Sequence, residues 1–201
     1  MIARELDWRR ELWQLRWRRA PRLASRARVL VARGTHQHAT VVLPPSTYAG
    51  PGFRLEIPGA AEFVVGDNVT FRRGFYCEIA PGGTVRIGAG STFTGDAMVQ
   101  ISTSLDIGER CVFGQATFIA DGSHRFRDWT HHVLDQGYDF RPIAIEDNAF
   151  ILTKCTIVAD IGRGAVIAAN SLVNRPVPAY SLAGGVPAKV LEYFGPEPGD
   201  D

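Results

Sequence analysis

IAIEDNAFILTKCTIVADIGRGAVIAANSLV, residues 143–173, places an apolar side chain at every sixth position: Ile145, Ile151 and Ile157, then Ile161, Ile167 and Val173. A second, smaller slot recurs four residues on, at Ala149, Cys155, Ala165 and Ser171. Working back toward the N-terminus, the same spacing yields Ile107, Phe113 and Ile119, then Ile87, Phe93 and Val99, then Val65, Phe71 and Cys77. The second slot continues upstream at Val69, Ser91, Ala97, Thr103, Cys111, Thr117 and Ser123. A helical period of 3.6 fits this region poorly. Three hexads, about 18 residues, make one triangular turn of a coil with a short strand on each side. Stacked turns lie about 4.8 Å apart and together bury a face that one turn alone cannot. The triplet starts are 22, 20, 38 and 16 residues apart, which puts small insertions at 79–86 and 101–106 and a long one between 124 and 143. IVADIG is a contraction. Glycine follows the apolar residue at Gly66, Gly88, Gly108, Gly114 and Gly162, where it permits a sharp bend.

Upstream of the repeat, residues 22–60 carry RVLVA, TVVL and FRLEI, broken by PP, AGPG and IPG, and are expected to be irregular strands that begin the β domain. Residues 4–19, RELDWRRELWQLRWRR, read as a helix with Leu6, Trp13 and Trp17 on one side, ending at Pro21. Ten arginines against Glu5, Asp7 and Glu11 give residues 1–33 a charge of +7, while the rest of the chain carries −6. A Trp/Leu face beside arginines suits a helix lying among anionic lipid headgroups. It equally suits a helix packed on the coil or on a neighbouring subunit, with its arginines solvated.

At 201 residues the chain is long enough for one well-buried domain. Its three cysteines are odd in number, far apart and without a CxxC pair, so neither a disulfide framework nor a zinc site is expected. No apolar run approaches the ~20 residues of a membrane span, and no h-region follows the basic N-terminus. The expected location is cytoplasmic, peripheral at the inner membrane face if residues 4–19 meet lipid. Nucleic acid is not an expected partner.

The segment 143–191, with AANSLV and the closing GGVPAKV, resembles the last coils of hexapeptide-repeat acyltransferases, which include sugar and xenobiotic O-acetyltransferases. ADGSHRF at 120–126 resembles the family's catalytic histidine segment, where a long excursion leaves the coil. The resemblance covers roughly residues 60–191. It implies an all-β fold, a left-handed parallel β-helix, here with a short N-terminal helix. It also implies homotrimers and acetyl-CoA as acyl donor, lying between two subunits. The resulting division is a basic helix over 1–21, an acyltransferase domain over 22–191 with its excursion at 125–142, and a tail over 192–201.

Attack of an alcohol on a thioester needs a base for the hydroxyl proton, and an imidazole with an ordinary pKa of about 6.5 suits that at neutral pH. His124 in ADGSH is the candidate; an exposed loop histidine is its bland alternative. Asp121 either orients that imidazole or makes a turn beside Gly122. His131 and His132 are acceptor contacts or solvated loop residues, and Phe126, Trp129, Tyr138 and Phe140 line a sugar site or anchor the excursion. For the donor, the resemblance implies Phe150 and Thr153 beside the pantetheine and Ala169 where backbone is approached. It places Asn174, Arg175 and Lys189 near the outer part of CoA, where cations suit phosphates. The pattern departs at Leu152, where the family often has glycine, and in the short IVADIG turn.

Two other functions share such a coil. A zinc-dependent carbonic anhydrase needs three histidines on one metal, and His36, His38, His124, His131 and His132 show no spacing that provides them. No metal is therefore expected. A non-catalytic scaffold is the other, with Leu152 as its support.

Overall fold

The computed structural model describes residues 20–196. Three parallel sheets form the sides of a prism, and the chain visits them in strict rotation. The first sheet holds Thr40–Val42, Glu62–Val65, Thr84–Ile87, Ser104–Ile107 and Ile143–Ile145, continued by single bridges at Ile161 and Val177. The second runs from Tyr48–Ala49 through Thr70–Phe71, Thr92–Phe93, Val112–Phe113, Phe150–Ile151 and Val166–Ile167 to Ser181–Gly185. The third holds Arg54–Glu56, Tyr76–Ile79, Met98–Ile101, Phe118–Ala120, Thr156–Ile157 and Leu172–Val173.

The register follows the hexad slots residue for residue. Val65 pairs with Ile87, Ile87 with Ile107 and Ile107 with Ile145, and a bridge takes Ile145 to Ile161. All fifteen slots are at most 4% exposed. Down the second side Phe71, Phe93 and Phe113 stack, with centroids 5.4 and 4.3 Å apart and planes 18° and 5° from parallel. Smaller slots fill the corners. Ser91, Thr117 and Ser171 are buried with their hydroxyls donating to the carbonyls of Gly108, Gly114 and Ala168. Two second-slot residues depart: Thr103 is half-buried and Ser123 exposed, because insertions leave the coil at both places.

The glycines owe their places to stacking more than to bending. A Cβ on Gly114 would lie 2.4 Å from the carbonyl carbon of Leu152 in the next coil, and Gly88 and Gly162 are as tightly covered. The bends fall instead on left-handed residues just before the small slots, such as Asn68, Arg110, Asn148 and Asn170, with φ between 55° and 59°.

The expected strand at RVLVA is a correction. Residues Ala20–Thr35 form a helix, here α1, with Pro21 in its first turn. Val29 and Ala32 are buried while Leu30 and Val31 are exposed, a one-sided pattern that a helix satisfies and a buried strand does not. The proposed boundary at residue 21 therefore cuts a helix, and the coil proper starts at Thr40. TVV and RLE do form strands, as sides of a first coil that precedes Val65. Helix α1 lies across that coil. Ser25 Oγ accepts from the amide of Ala49 at 2.8 Å, Arg28 donates to the Ala49 carbonyl at 3.0 Å, and Arg33 donates to that of Leu43. The helix expected over 4–19 lies outside the described residues, as does most of the tail. Among those described, no helix is long and apolar enough to cross a membrane.

Candidate active site

The long insertion leaves the coil at the corner between the third and first sheets. It is an arm with its own β stem rather than a loose excursion beginning at 125. Gly122–His124 pairs antiparallel with Tyr138–Phe140, setting His124 opposite Tyr138. Gln136 staples the far end: its amide donates to the carbonyls of Asp128 and His131 at 2.8 and 2.9 Å, and its oxygen accepts from the Asp128 amide at 3.0 Å. Arg125 pairs with Asp139 at 2.7 Å across the stem.

His124 is half-buried, its ring 4.2 Å from that of Tyr138, and Tyr138 stacks on Phe140 at 5.4 Å. Its Nδ1 is buried with no hydrogen-bond partner among the described residues. The imidazole lines a cleft of about 510 Å³ between the arm and the outer face of the third sheet. Glu78, Gln100, Ser102, Phe118, Tyr138 and Phe140 are among its walls.

Asp121 is adjacent but engaged elsewhere. Only 5% exposed, its carboxylate accepts from the amides of Ser102 and Thr103 and from the Thr103 hydroxyl, at 2.6 to 3.1 Å. Its carbonyl accepts from the Arg141 amide at 2.7 Å. Asp121 thus ties the base of the arm to the preceding insertion, and its carboxylate makes no hydrogen bond to His124. His131 bonds Asp128 and Thr130 at 2.9 Å, and hydrogen bonds from Thr130 hold the Asp128 carboxyl below its usual range. His132 accepts from the Leu134 amide at 3.3 Å. Phe126 and Trp129 project into solvent at the arm's end. His36 and His38 lie together beside α1, ring centroids 6.0 Å apart, on the carbonyls of Ala32 and Ile57, and no metal-binding group of three or more His, Cys, Asp or Glu is assembled among the described residues.

The donor-site candidates are spread over several parts of the prism. Phe150 projects from the second sheet, 45% exposed, between Val112 and Val166. Thr153 and Ala169 lie at the corner between the second and third sheets, where the Asn170 amide donates to the Thr153 carbonyl at 3.0 Å. Thr153 Oγ1 donates to the Gln115 carbonyl at 2.9 Å. Half-buried Leu152 has its backbone beneath Gly114. Asn174 and Arg175 are exposed beyond Leu172–Val173, on the same edge as the arm, and exposed Lys189 pairs with Gly184 in the closing hairpin. The three thiols are buried, which pushes their pKa values up and removes them as nucleophiles.

Glu78, Gln100 and Phe118 carry no motif and were not among the sequence candidates. Their signal was positional. Residues directly after the third-side slots (Glu78, Gln100, Ala120 and Val158) form one column, from which the arm departs after Ala120.

No family model matches the chain. It is 29% identical over 174 residues to a probable acetyltransferase of Mycobacterium tuberculosis, covering 86% of this chain and 52% of that protein. The chain thus spans about half the length of that relative. A bifunctional GlmU protein of Rubrobacter xylanophilus is 32% identical over 127 residues, 59% of this chain and 22% of the relative. Among solved structures, a hexapeptide-repeat acetyltransferase of Vibrio cholerae in complex with acetyl-CoA superposes with a TM-score of 0.59 at 23% identity, covering 85% of this chain and 78% of that one. The chain has the hexapeptide-repeat acyltransferase fold. A polysialic acid O-acetyltransferase shares the hexapeptide-repeat fold with a TM-score of 0.57, at 13% identity over 81% of this chain and 90% of its own.

Proposed function

We propose that the protein moves an acetyl group from acetyl-CoA to a hydroxyl of a sugar-like acceptor, with His124 as general base. The observation that carries this reading is a half-buried imidazole on a braced arm, lining a cleft together with Tyr138 and Phe140. Aromatic faces of that kind pack on the apolar face of a sugar ring. His124 takes the hydroxyl proton as the acceptor oxygen attacks the thioester carbonyl. It returns the proton to the departing CoA sulfur as the C–S bond breaks. Such base catalysis contributes about 10²–10⁴-fold. Phe150 flanks the pantetheine, Ala169 permits close approach to backbone, and Asn174, Arg175 and Lys189 meet the phosphate-bearing end.

A homotrimer and a left-handed coil belong to the same proposal. Thr153 and Ala169 stand on one edge of the prism and His124 on another, and a rigid three-sided coil does not bring two of its edges together. A neighbouring copy that sets its second-to-third edge against this chain's arm completes the site. The acyltransferase unit proposed over 22–191 then includes most of α1, and its closing strand runs on to Tyr193. The Trp/Arg sequence over 4–19 supports contact with an anionic bilayer, which flotation with anionic liposomes tests.

The decisive experiment is His124→Ala. Turnover measured by CoA release should fall at least ~10²-fold, with stability within about 1 kcal/mol of wild type and calorimetric acetyl-CoA binding retained. Wild-type turnover in that variant refutes the assignment. Light scattering should return three times 22.0 kDa, and an active monomer would overturn the shared site.

A further inference from the structure

The cleft beside His124 has a charge as well as a shape. His124 borders two clefts. The one on the arm's far side is lined by Arg125 and Arg127 with Asp128, Asp135 and Asp139. The one against the third sheet has, among the described residues, two carboxylates, Glu78 and Asp121, and no lysine or arginine. Asp121 is spent on Ser102 and Thr103. Glu78 is not: half-buried, it has no salt-bridge partner among the described residues, its Oε2 accepts from Gln100 Nε2 at 3.1 Å, and it shares the single proton of Tyr76 Oη, 3.2 Å away, with Glu56 Oε2 at 3.1 Å. Both donors are neutral. Tyr76 remains a donor across the physiological range, because burial and then a hydrogen bond to Glu56 raise its pKa to about 12. Glu56 one coil below is already paired to Arg54 at 2.7 Å. Hydrogen bonds therefore aim the Glu78 carboxylate, and no cation among the described residues pairs with it.

The column also changes size at the cleft. Glu78 and Gln100 are followed by Ala120 and Val158, so long polar side chains border a floor of short apolar ones. A sugar ring lying on that floor, with one face toward Phe118 and the arm's aromatics, has its edge at Gln100 and Glu78. Carboxylates accept hydrogen bonds from hydroxyl and ammonium groups and repel carboxylates and phosphates.

We propose that Glu78, aimed by Tyr76 and Gln100, is a specificity determinant that admits neutral or ammonium-bearing saccharides to the His124 cleft and rejects anionic ones. The inference rests on the proposed acetyl transfer to a sugar-like hydroxyl and deepens it by naming the acceptor class. A like charge held near a half-buried carboxylate in partly excluded water is repelled by about 1.4 kcal/mol or more, which is a tenfold discrimination.

The test compares glucose and glucosamine with glucuronate and glucose 6-phosphate, by CoA release and by displacement of the His124 ring resonance on adding each saccharide without acetyl-CoA. Wild type should favour the uncharged and ammonium-bearing sugars over the anionic ones at least tenfold in kcat/KM. Glu78→Gln, which keeps an acceptor for Tyr76, should narrow that ratio at least fivefold, with its melting temperature showing the fold intact. Equal use of neutral and anionic sugars by wild type overturns the inference and leaves the acetyl-transfer reading standing. An unaltered ratio in Glu78→Gln overturns the role of Glu78. Turnover with none of the sugars refutes the reaction as read. The resonance displacement still decides the charge preference: larger for glucosamine and glucose supports it, and larger for the anions, or none for any sugar, overturns it.

Discussion

Replacing Asp121 with alanine separates the two meanings that a buried carboxylate beside a candidate catalytic histidine can have. Its oxygens accept from three donors, the Ser102 and Thr103 amides and the Thr103 hydroxyl. The hydroxyl can rotate to another acceptor, whereas the two amides are fixed by the backbone and lie in a half-buried bend. Hydrogen bonds to a charged group contribute about 1.5–3 kcal/mol each, and a buried donor left unpaired costs about 1–3 kcal/mol. Partial hydration of the vacated space offsets some of this, so Asp121→Ala should lose about 3–4 kcal/mol. At about 2–4 °C per kcal/mol for a chain of this size, the melting temperature should fall by roughly 6–16 °C. Asp121→Asn keeps one acceptor oxygen and should lose about half as much. Thermal unfolding followed by circular dichroism measures both variants, and hydrogen exchange at the Ser102 and Thr103 amides should accelerate in each. If Asp121→Ala melts within 1 °C of wild type while turnover collapses, Asp121 acts in the chemistry and the bracing role is wrong.

Three further outcomes follow from the coil. Phe93 is fully buried between the rings of Phe71 and Phe113, so Phe93→Ala should cost about 3–5 kcal/mol in urea unfolding, and a loss under 1 kcal/mol would contradict the packing. In Gly114→Ala the new methyl meets the backbone of Leu152 and Thr153; a destabilisation of at least ~2 kcal/mol and weaker acetyl-CoA binding should appear together, since Thr153 is a donor-site candidate. Because burial raises the pKa of Cys77, Cys111 and Cys155, none ionises readily at pH 8. Ellman's reagent should find no reactive thiol in the native protein and three after denaturation, and rapid native labelling would place a cysteine at the surface.

The coil was legible because its constraint is local and repeated. A hexad slot admits only an inward apolar residue, and an error of one position would turn Ile107 or Phe113 to solvent. The same rule read the 22-, 20-, 38- and 16-residue offsets that the strand pairing shows. Helix α1 escaped because RVLVA is short and apolar, and such a run does not distinguish a strand from the buried stripe of a helix. At the site, His124 was marked by its place at the end of a coil. The partners of Asp121, Ser102 and Thr103, are 19 and 18 residues away and are brought near only by stacking, so its bracing contacts leave no local mark in the sequence. Glu78 lay hidden for a related reason: its neighbours in the cleft come from four coils and the arm, and its own surroundings in sequence, YCEI, are those of an ordinary strand.

Helix α1 carries a consequence for how many rungs the protein has. Every coil of such a prism offers the next one a row of amides and carbonyls, so the geometry contains no intrinsic stop, and an open end is a template for strands of another chain. By giving Ser25, Arg28 and Arg33 to the amide and carbonyl of Ala49 and the carbonyl of Leu43, α1 works as a chain terminator does in a polymerisation. A helix with its own backbone bonds already satisfied cannot accept another strand. The length of the prism is therefore set by the helix laid across its first rung as much as by the hexads, and a chain lacking that helix would have a growing end.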